Sequence, residues 1–202
     1  MEVARKHVGF IGLLSVIVAL VGIIVFGLLN HDFHFLNDYL SKLGAAGEPH
    51  ALAANLIGFV GTGLLLIVFG WLYGFLLKDR LLALLLSLFG VGLAFTSIPT
   101  DYLHPDSVYS KAHIVVICLG LASWLFGLSR LGINLLLARK IRNRANRTSI
   151  LLVLALSGYA LGWWSMPITH RLVFGIVFGW TGVTSFELLG KQNPNNQLLE
   201  TS

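Results

Sequence analysis

Long, uninterrupted apolar runs are the feature that most limits how this chain can fold. A helix that crosses a bilayer needs roughly 20 mostly apolar residues, and six segments of the sequence meet this condition. Their approximate bounds are Gly9–Leu29, Ala51–Leu77, Leu81–Ile98, Ala112–Leu137, Thr148–Met166 and Leu172–Gly190. In lipid every backbone polar group must be bonded internally, so such runs predict helices. We therefore predict an all-α membrane protein, a six-transmembrane-helix bundle.

Composition also favours a membrane protein over a soluble domain. The 202 residues are 56% hydrophobic and only 11% charged, whereas soluble domains carry about 25% charged residues. The first run is longer than a signal-peptide core of roughly 7–15 residues and no A-x-A site follows it, so we expect an uncleaved first helix. A single domain is predicted over residues 1–190, followed by a polar, disordered cytoplasmic tail over residues 191–202.

The basic residues predict how the helices are oriented. Ten Lys and Arg residues flank one set of helix ends and three flank the other. The positive-inside rule then places both termini, the Lys78–Arg80 turn and the Arg139–Arg147 loop in the cytoplasm. The net charge of +5 does not indicate a nucleic-acid partner, because the basic residues lie in short runs between apolar segments. Membrane lipids are the expected partners, and the Arg139–Arg147 run can also contact anionic lipid.

The longest predicted outer segment, Asn30–His50, contains apolar residues at helical spacing. They are Phe35, Leu36, Tyr39, Leu40 and Leu43, with polar residues on the other face. This pattern predicts a short amphipathic helix that lies at the membrane interface.

Three G-x-x-x-G spacings allow close approach of helices. They are Gly70/Gly74, Gly158/Gly162 and Gly175/Gly179. We expect them to mediate packing within the chain, with dimerisation as the alternative.

Titratable residues collect at the predicted outer ends of the spans. Six of seven histidines and five of nine acidic residues lie there, most densely in Pro99–His113. Carboxylate and imidazole groups together suit a divalent ion such as Zn²⁺, and the candidate ligands are Asp101, His104, His113 and His170. No H-E-x-x-H or comparable spacing is present. Histidines that only bond water or backbone are therefore the alternative interpretation.

Two charged residues lie within the predicted spans. Arg130 is about eight residues inside the fourth span, and Glu187 lies near the inner end of the sixth. Because intramembrane charges usually face the bundle interior and pair, we predict an intramembrane ion pair between Arg130 and Glu187. In the alternative, each side chain reaches the cytoplasmic surface alone.

Several motifs resemble those of a known family. The stretch LSKLGAAGEPHALAANLIGFVGTGLLL, residues 40–66, resembles the opening signature of bacterial and archaeal membrane proteins catalogued as domain of unknown function nine-nine-eight. The resemblance covers about residues 8–190. It implies a prokaryotic inner-membrane protein with this fold and topology, and it carries no activity. The matching positions are Ser41, Leu43, Gly44, Asn55, Gly58, Gly63, Pro99, Asp101, His113, Arg171 and Trp180, with Ile98 where the family has Phe.

The family pattern marks five polar positions in three separate outer regions. The resemblance implies that Ser41, Asn55, Asp101, His113 and Arg171 form one outward-facing polar pocket, which we predict binds a lipid headgroup or a small polar ligand. Arg171 would contact an anionic group.

Two other functions stay open. The first is a metal-dependent, membrane-embedded hydrolase whose catalytic candidates are Asp101 and His113, as metal ligands or as acid and base. The second is a structural or assembly protein without a ligand.

Overall fold

The computed structural model describes residues 2–101, 104 and 106–190. Within them the chain forms six long helices, one short 3-10 helix (Leu40–Gly44) and no strand. The long helices are α1 (Glu2–Leu29), α2 (Ala51–Leu76), α3 (Arg80–Phe95), α4 (Val108–Ile133), α5 (Arg139–Ala160) and α6 (Met166–Leu189). The middle of α2, Ala54–Gly61, has π-helical hydrogen bonding. The predicted disordered tail lies outside the described residues.

Four of these helices, α1, α2, α4 and α6, are long and apolar enough to cross a membrane. α3 is apolar but shorter, with 16 residues, and α5 begins in the basic run. The prediction of an all-helical, multi-pass membrane protein is confirmed at this level. The full six-span topology stays a prediction.

The helices on either side of the basic run begin earlier in the chain than hydropathy predicts. α4 begins at Val108, because the Ser107 hydroxyl accepts a hydrogen bond from the Ser110 amide and caps the helix. Such a cap uses polar residues, so an apolar run does not show it. α5 begins at Arg139. The predicted Arg139–Arg147 loop is therefore wrong, since these residues form the first turns of α5.

The six helices form a closed ring in chain order. Each helix packs against the next, and α6 returns to pack against α1. Trp180 of α6 lies inside the ring, with its ring centroid 5.8 Å from that of Trp124 and 6.0 Å from that of Tyr73. All three side chains are buried. This aromatic cluster joins α6 to α4 and α2 across the interior of the bundle.

The two ends of the bundle differ in chemistry. At one end α1, α3 and α5 begin and α2, α4 and α6 end; we call it the basic end, since most Lys and Arg residues lie there. The opposite end, called the loop end, carries residues 30–50, 96–101, 104, 106–107 and 161–165.

The predicted ion pair between Arg130 and Glu187 is wrong. Arg130 Nε donates instead to Asp79 Oδ2 at 2.6 Å, and Glu187 accepts from Lys140 Nζ at 3.0 Å and from Arg144. Because α4 ends at Ile133, Arg130 lies in its last turn and reaches the carboxylate in the turn between α2 and α3.

Asp79 connects that turn to two helices. Its Oδ1 accepts from the Leu82 amide at 3.0 Å and caps α3, while its Oδ2 accepts from Arg130. Burial alone would raise the pKa of Asp79, but the Arg130 guanidinium and the Leu82 amide outweigh it and hold the pKa below its usual 3.8. Because the pKa of Asp79 is lower in the folded state, its carboxylate stabilises the fold at pH values above the pKa of the unfolded state. This contribution is lost as the pH falls through the pKa of the folded state.

The prediction of an amphipathic helix on the membrane surface is also wrong. Only Leu40–Gly44 is helical, and it is a 3-10 helix. Leu40 and Leu43 are 5% and 4% exposed and pack with Ala54 of α2. Leu36, predicted on the same apolar face, is 71% exposed. The segment therefore inserts into the loop end of the bundle.

One of the G-x-x-x-G pairs lies at a tight helix contact. A Cβ added to Gly70 would lie 2.8 Å from the backbone of Leu86, and one added to Gly74 would overlap the backbone of Ala83. These glycines let α2 approach α3 closely, as predicted. By contrast, a Cβ on Gly175 or Gly179 would meet no described atom within 4 Å, so this pair does not mediate such a contact within the described residues.

We expect Gly74→Ala to lower the thermal stability of the detergent-solubilised protein, measured by circular dichroism. The added methyl group forces α2 and α3 apart, and overpacking of this kind costs about 1–3 kcal/mol. Gly179→Ala is the matched control, because the methyl group there enters open space and alanine favours helix over glycine by about 1 kcal/mol. An equal loss of stability in both variants would contradict the close packing at Gly74.

Candidate functional site

A cavity of about 170 Å³ lies inside the ring at the loop end. We call it the loop-end cavity. The 3-10 helix and the helices α2 to α6 all contribute to its wall, which consists mostly of phenylalanine and aliphatic side chains. Its polar lining residues are Ser41, Thr96, His113, Cys118, Thr169 and His170. The site is thus an apolar cavity with a few polar groups, whereas the sequence predicts a polar pocket.

Helical spacing of the lining residues shows that the cavity is elongated along the helix axes. On α4 the lining positions His113, Ile117 and Leu121 recur every four residues on one face. At 1.5 Å per residue they span ~12 Å. Towards the basic end the wall includes Phe89, whose ring centroid is 6.2 Å from that of Trp124. The cavity therefore extends from polar groups at the loop end to the central aromatic cluster.

From two exposed lining residues we infer that the cavity opens sideways between α4 and α5. Cys118 of α4 and Leu156 of α5 line the cavity and are also exposed on the outside of the bundle. The surface next to this opening is apolar, since Val115 and Leu119 are exposed there too. An opening at an apolar outer surface of a membrane protein faces lipid.

His113 lines the cavity with its ring close to the backbone carbonyls of Ile98 and Thr96. Its ring is 7% exposed, and its Nδ1 lies 3.1 Å from the Ile98 carbonyl oxygen. A carbonyl only accepts, so Nδ1 carries the proton and donates. In the neutral ring Nε2 is then an acceptor, and no described residue donates to it.

Ser41 and His170 also have unused hydrogen-bonding capacity. Neither side chain forms a hydrogen bond with another described residue, although the His170 ring packs against Tyr39 with centroids 5.3 Å apart. The hydroxyls of Thr96 and Thr169, in contrast, donate to the carbonyls of Leu93 and Ser165 in their own chain segments at 2.6 and 3.0 Å. Besides the Cys118 thiol, the polar groups available to a ligand are therefore those of Ser41, His113 and His170.

Asn55, predicted as a ligand-binding residue, holds the 3-10 helix. Its Nδ2 donates to the Gly44 carbonyl at 2.8 Å, and it is not among the lining residues of the cavity. A Cβ on Gly44 would overlap the Asn55 amide. Gly44 and Asn55, both positions of the family pattern, therefore belong together: the glycine leaves room for the asparagine side chain.

Arg171 is likewise used inside the protein. Its guanidinium donates to the carbonyls of Pro167 at 2.6 Å and Asp38 at 2.7 Å, and to that of Phe35. These bonds tie the first outer segment to the start of α6. Its donors point at backbone oxygens and it does not line the cavity, so Arg171 is not placed to hold an anionic ligand there.

The predicted metal site is not assembled. Asp101 Oδ2 accepts from His104 Nδ1 at 2.9 Å on an exposed part of the loop end, whereas His113 and His170 line the cavity and His113 donates to Ile98. Across residues 2–101, 104 and 106–190 no three His, Cys, Asp or Glu side chains come close enough to hold a metal ion. The predicted four-residue zinc site is therefore wrong, while Asp101 and His113 as catalytic candidates stay a prediction.

Thr96, Thr169 and the apolar wall are the site residues that the sequence prediction missed. Thr169, Val173 and Val177 recur every four residues on α6, so helical spacing combined with the position of His170 could have indicated this face. The gap between the helices has no counterpart in a single sequence.

The ring of apolar helices defines the class of this chain, a multi-pass helical membrane protein. Comparison with protein-family models matches residues 13–188 to the family described as protein of unknown function (DUF998). The match covers most of the chain, so the chain belongs to this family, as its motifs predict. Comparisons with curated proteins and with solved structures found no match.

We expect Arg171→Lys to destabilise the loop end, because one ammonium group cannot replace a guanidinium that donates to three separate carbonyls. The expected loss is about 1–3 kcal/mol, seen as a lower melting temperature and faster proteolysis within residues 30–39. Arg142→Lys makes the same change at a position where the described residues show no hydrogen bond from the side chain. Equal behaviour of the two variants would argue against the structural role of Arg171.

Proposed function

We propose that this protein binds a membrane amphiphile in the loop-end cavity. The apolar part of the ligand lies between α4 and α6, and its polar group contacts Ser41, His113 and His170. The observation that carries the proposal is an apolar cavity that ends at three polar side chains with free hydrogen-bonding capacity and opens sideways at an apolar surface.

The size of the cavity limits the part of the ligand that enters. A dry cavity of about 150 Å³ holds one benzene molecule, so 170 Å³ accommodates a ring or a chain segment of roughly six to eight carbons. A whole two-chain lipid does not fit. The rest of a longer ligand extends through the opening beside Cys118 and Leu156.

The polar groups are expected to decide which amphiphile binds. An apolar chain gains little by moving from lipid into an apolar cavity, because both surroundings lack water. Hydrogen bonds made in a low-dielectric interior are strong, and an unmet polar group there is costly. Selectivity should therefore come from the contacts of Ser41, His113 and His170.

These contacts favour an uncharged ligand that donates hydrogen bonds. The free Nε2 of neutral His113 accepts, and the Ser41 hydroxyl both donates and accepts. Arg171, the cation expected to hold an anionic group, already donates to three carbonyls. A hydroxyl-bearing neutral amphiphile, such as a monoacylglycerol, fits this set better than a phospholipid headgroup. Among the described residues, no comparable observation favours the metal-dependent hydrolase or the assembly protein.

We expect Val173→Phe to abolish binding of monoolein by filling the cavity. Binding is measured by native mass spectrometry in a neutral detergent, and independently as slower alkylation of Cys118 at the opening. Val183→Phe adds the same volume to α6 at an exposed position outside the cavity. Ser41→Ala should weaken binding about threefold to tenfold through loss of one hydrogen bond. Binding that survives Val173→Phe in a folded protein overturns the proposal, as does equal loss in Val183→Phe.

We further propose that all six helices cross the inner membrane of a prokaryotic cell with both termini in the cytoplasm. The basic end supports this orientation. α3 measures ~24 Å at 1.5 Å per residue, so it can cross a locally thinned bilayer. The apolar part of α5 follows its basic first turns.

The orientation is testable with two exposed positions in a Cys118→Ala background. Asp106 is exposed at the loop end and Leu136 is exposed between α4 and α5, and each is replaced by cysteine in turn. A membrane-impermeant maleimide added to intact spheroplasts should label only the first variant, and permeabilisation should expose the second. The reverse labelling pattern would refute the orientation.

A further inference from the structure

A second open space lies at the basic end, far from the loop-end cavity. It is a cleft of about 500 Å³ between the start of α5 and the end of α6, which we call the basic cleft. Its charged and amide side chains are those of Arg139, Lys140, Asn143, Arg144, Arg147 and Glu187. We infer that the basic cleft binds a phosphate-bearing anion.

Helix geometry brings the cationic groups together. Arg139, Asn143 and Arg147 recur every four residues on α5 and form one row, while Lys140 and Arg144 form the adjacent row. Residues four apart on a helix lie on the same face. Four cations therefore face one gap instead of spreading around the helix.

The acidic groups near the cleft do not balance this charge. Glu187, the carboxylate in the cleft wall, is shared by Lys140 and Arg144. Two other acids of the basic end already have partners, since Glu2 pairs with Lys6 and Asp79 with Arg130.

Arg139 and Arg147 consequently have no ion-pair or hydrogen-bond partner in the part of the chain that the structure describes. Arg147 also lies one turn from Arg144 on α5, and like charges at this spacing repel each other. A bound anion would relieve this repulsion.

Arg144 is fixed in the wall of the cleft. Its side chain is only 13% exposed and pairs with Glu187, and its guanidinium lies within hydrogen-bonding reach of the buried Tyr73 hydroxyl. A tetrahedral oxyanion offers several acceptors to a guanidinium fork and to a neighbouring ammonium group at once.

Two sources could supply this chemistry, the headgroup of an acidic phospholipid and free phosphate. The cleft lies at the end of membrane-spanning helices, at the depth where headgroups are expected, and basic residues there attract acidic lipid. The experiment therefore uses one probe of each kind.

The test compares the full chain with Arg139→Gln/Arg147→Gln, because neither residue contacts Glu187 and the existing ion pairs remain. Binding of dioleoylphosphatidylglycerol is measured by native mass spectrometry in a neutral detergent, and inorganic phosphate by the shift in melting temperature. Loss of two basic residues should weaken binding roughly thirtyfold. Arg142→Gln removes the same kind of charge from α5 outside the cleft wall and should have little effect, while Arg139→Lys/Arg147→Lys should retain most of the binding.

Each outcome decides the inference. Phosphatidylglycerol bound alone identifies the lipid as the source, and stabilisation by inorganic phosphate identifies the free anion, provided that either effect disappears in the double Gln variant. Absence of binding by both probes overturns the inference. So does binding that is unchanged in the double variant or equally weakened by Arg142→Gln. Val173→Phe, which tests the loop-end cavity, should leave all these results unchanged.

Discussion

Contact between the first and last helices closes the ring, and the rest of the structure depends on it. A Cβ on Gly9 of α1 would lie 2.8 Å from the Ser185 carbonyl of α6, so two small residues let these helices meet. α6 then supplies Trp180 to the central cluster, one wall of the loop-end cavity and Glu187 to the basic cleft. Without this contact α6 would be held only by its packing on α5 and by the Trp180 cluster, and the wall that it gives to both sites would lose that support.

Hydropathy predicted the number and order of the helices because lipid leaves few alternatives to helical backbone. It failed at the helix ends, which depend on individual polar contacts. α4 begins at the Ser107 cap and ends at Ile133, before the predicted Leu137, so Arg130 lies in its last turn and pairs with Asp79. The predicted partner of Glu187 was wrong for the same reason, since the basic run is helical and brings Arg144 to it.

The family pattern predicted part of the site and could not separate its functions. Ser41 and His113 line the cavity, whereas Asn55 and Arg171 are engaged in holding the loop-end backbone. A polar residue at a family position looks the same in sequence whether it lines the cavity or holds the backbone. The apolar wall escaped prediction for a different reason: lining and lipid-facing side chains of a membrane helix are chemically alike, and only the packing of neighbouring helices distinguishes them.

The sideways opening beside Cys118 and Leu156 has a consequence for how occupancy of the cavity would be controlled. A ligand that enters from the bilayer never equilibrates through water on its way to the site, so the quantity that acts by mass action is its mole fraction in the surrounding leaflet. Dilution of the cell suspension would leave that fraction unchanged, whereas a change in lipid synthesis would alter it directly. A protein built in this way would respond to membrane composition.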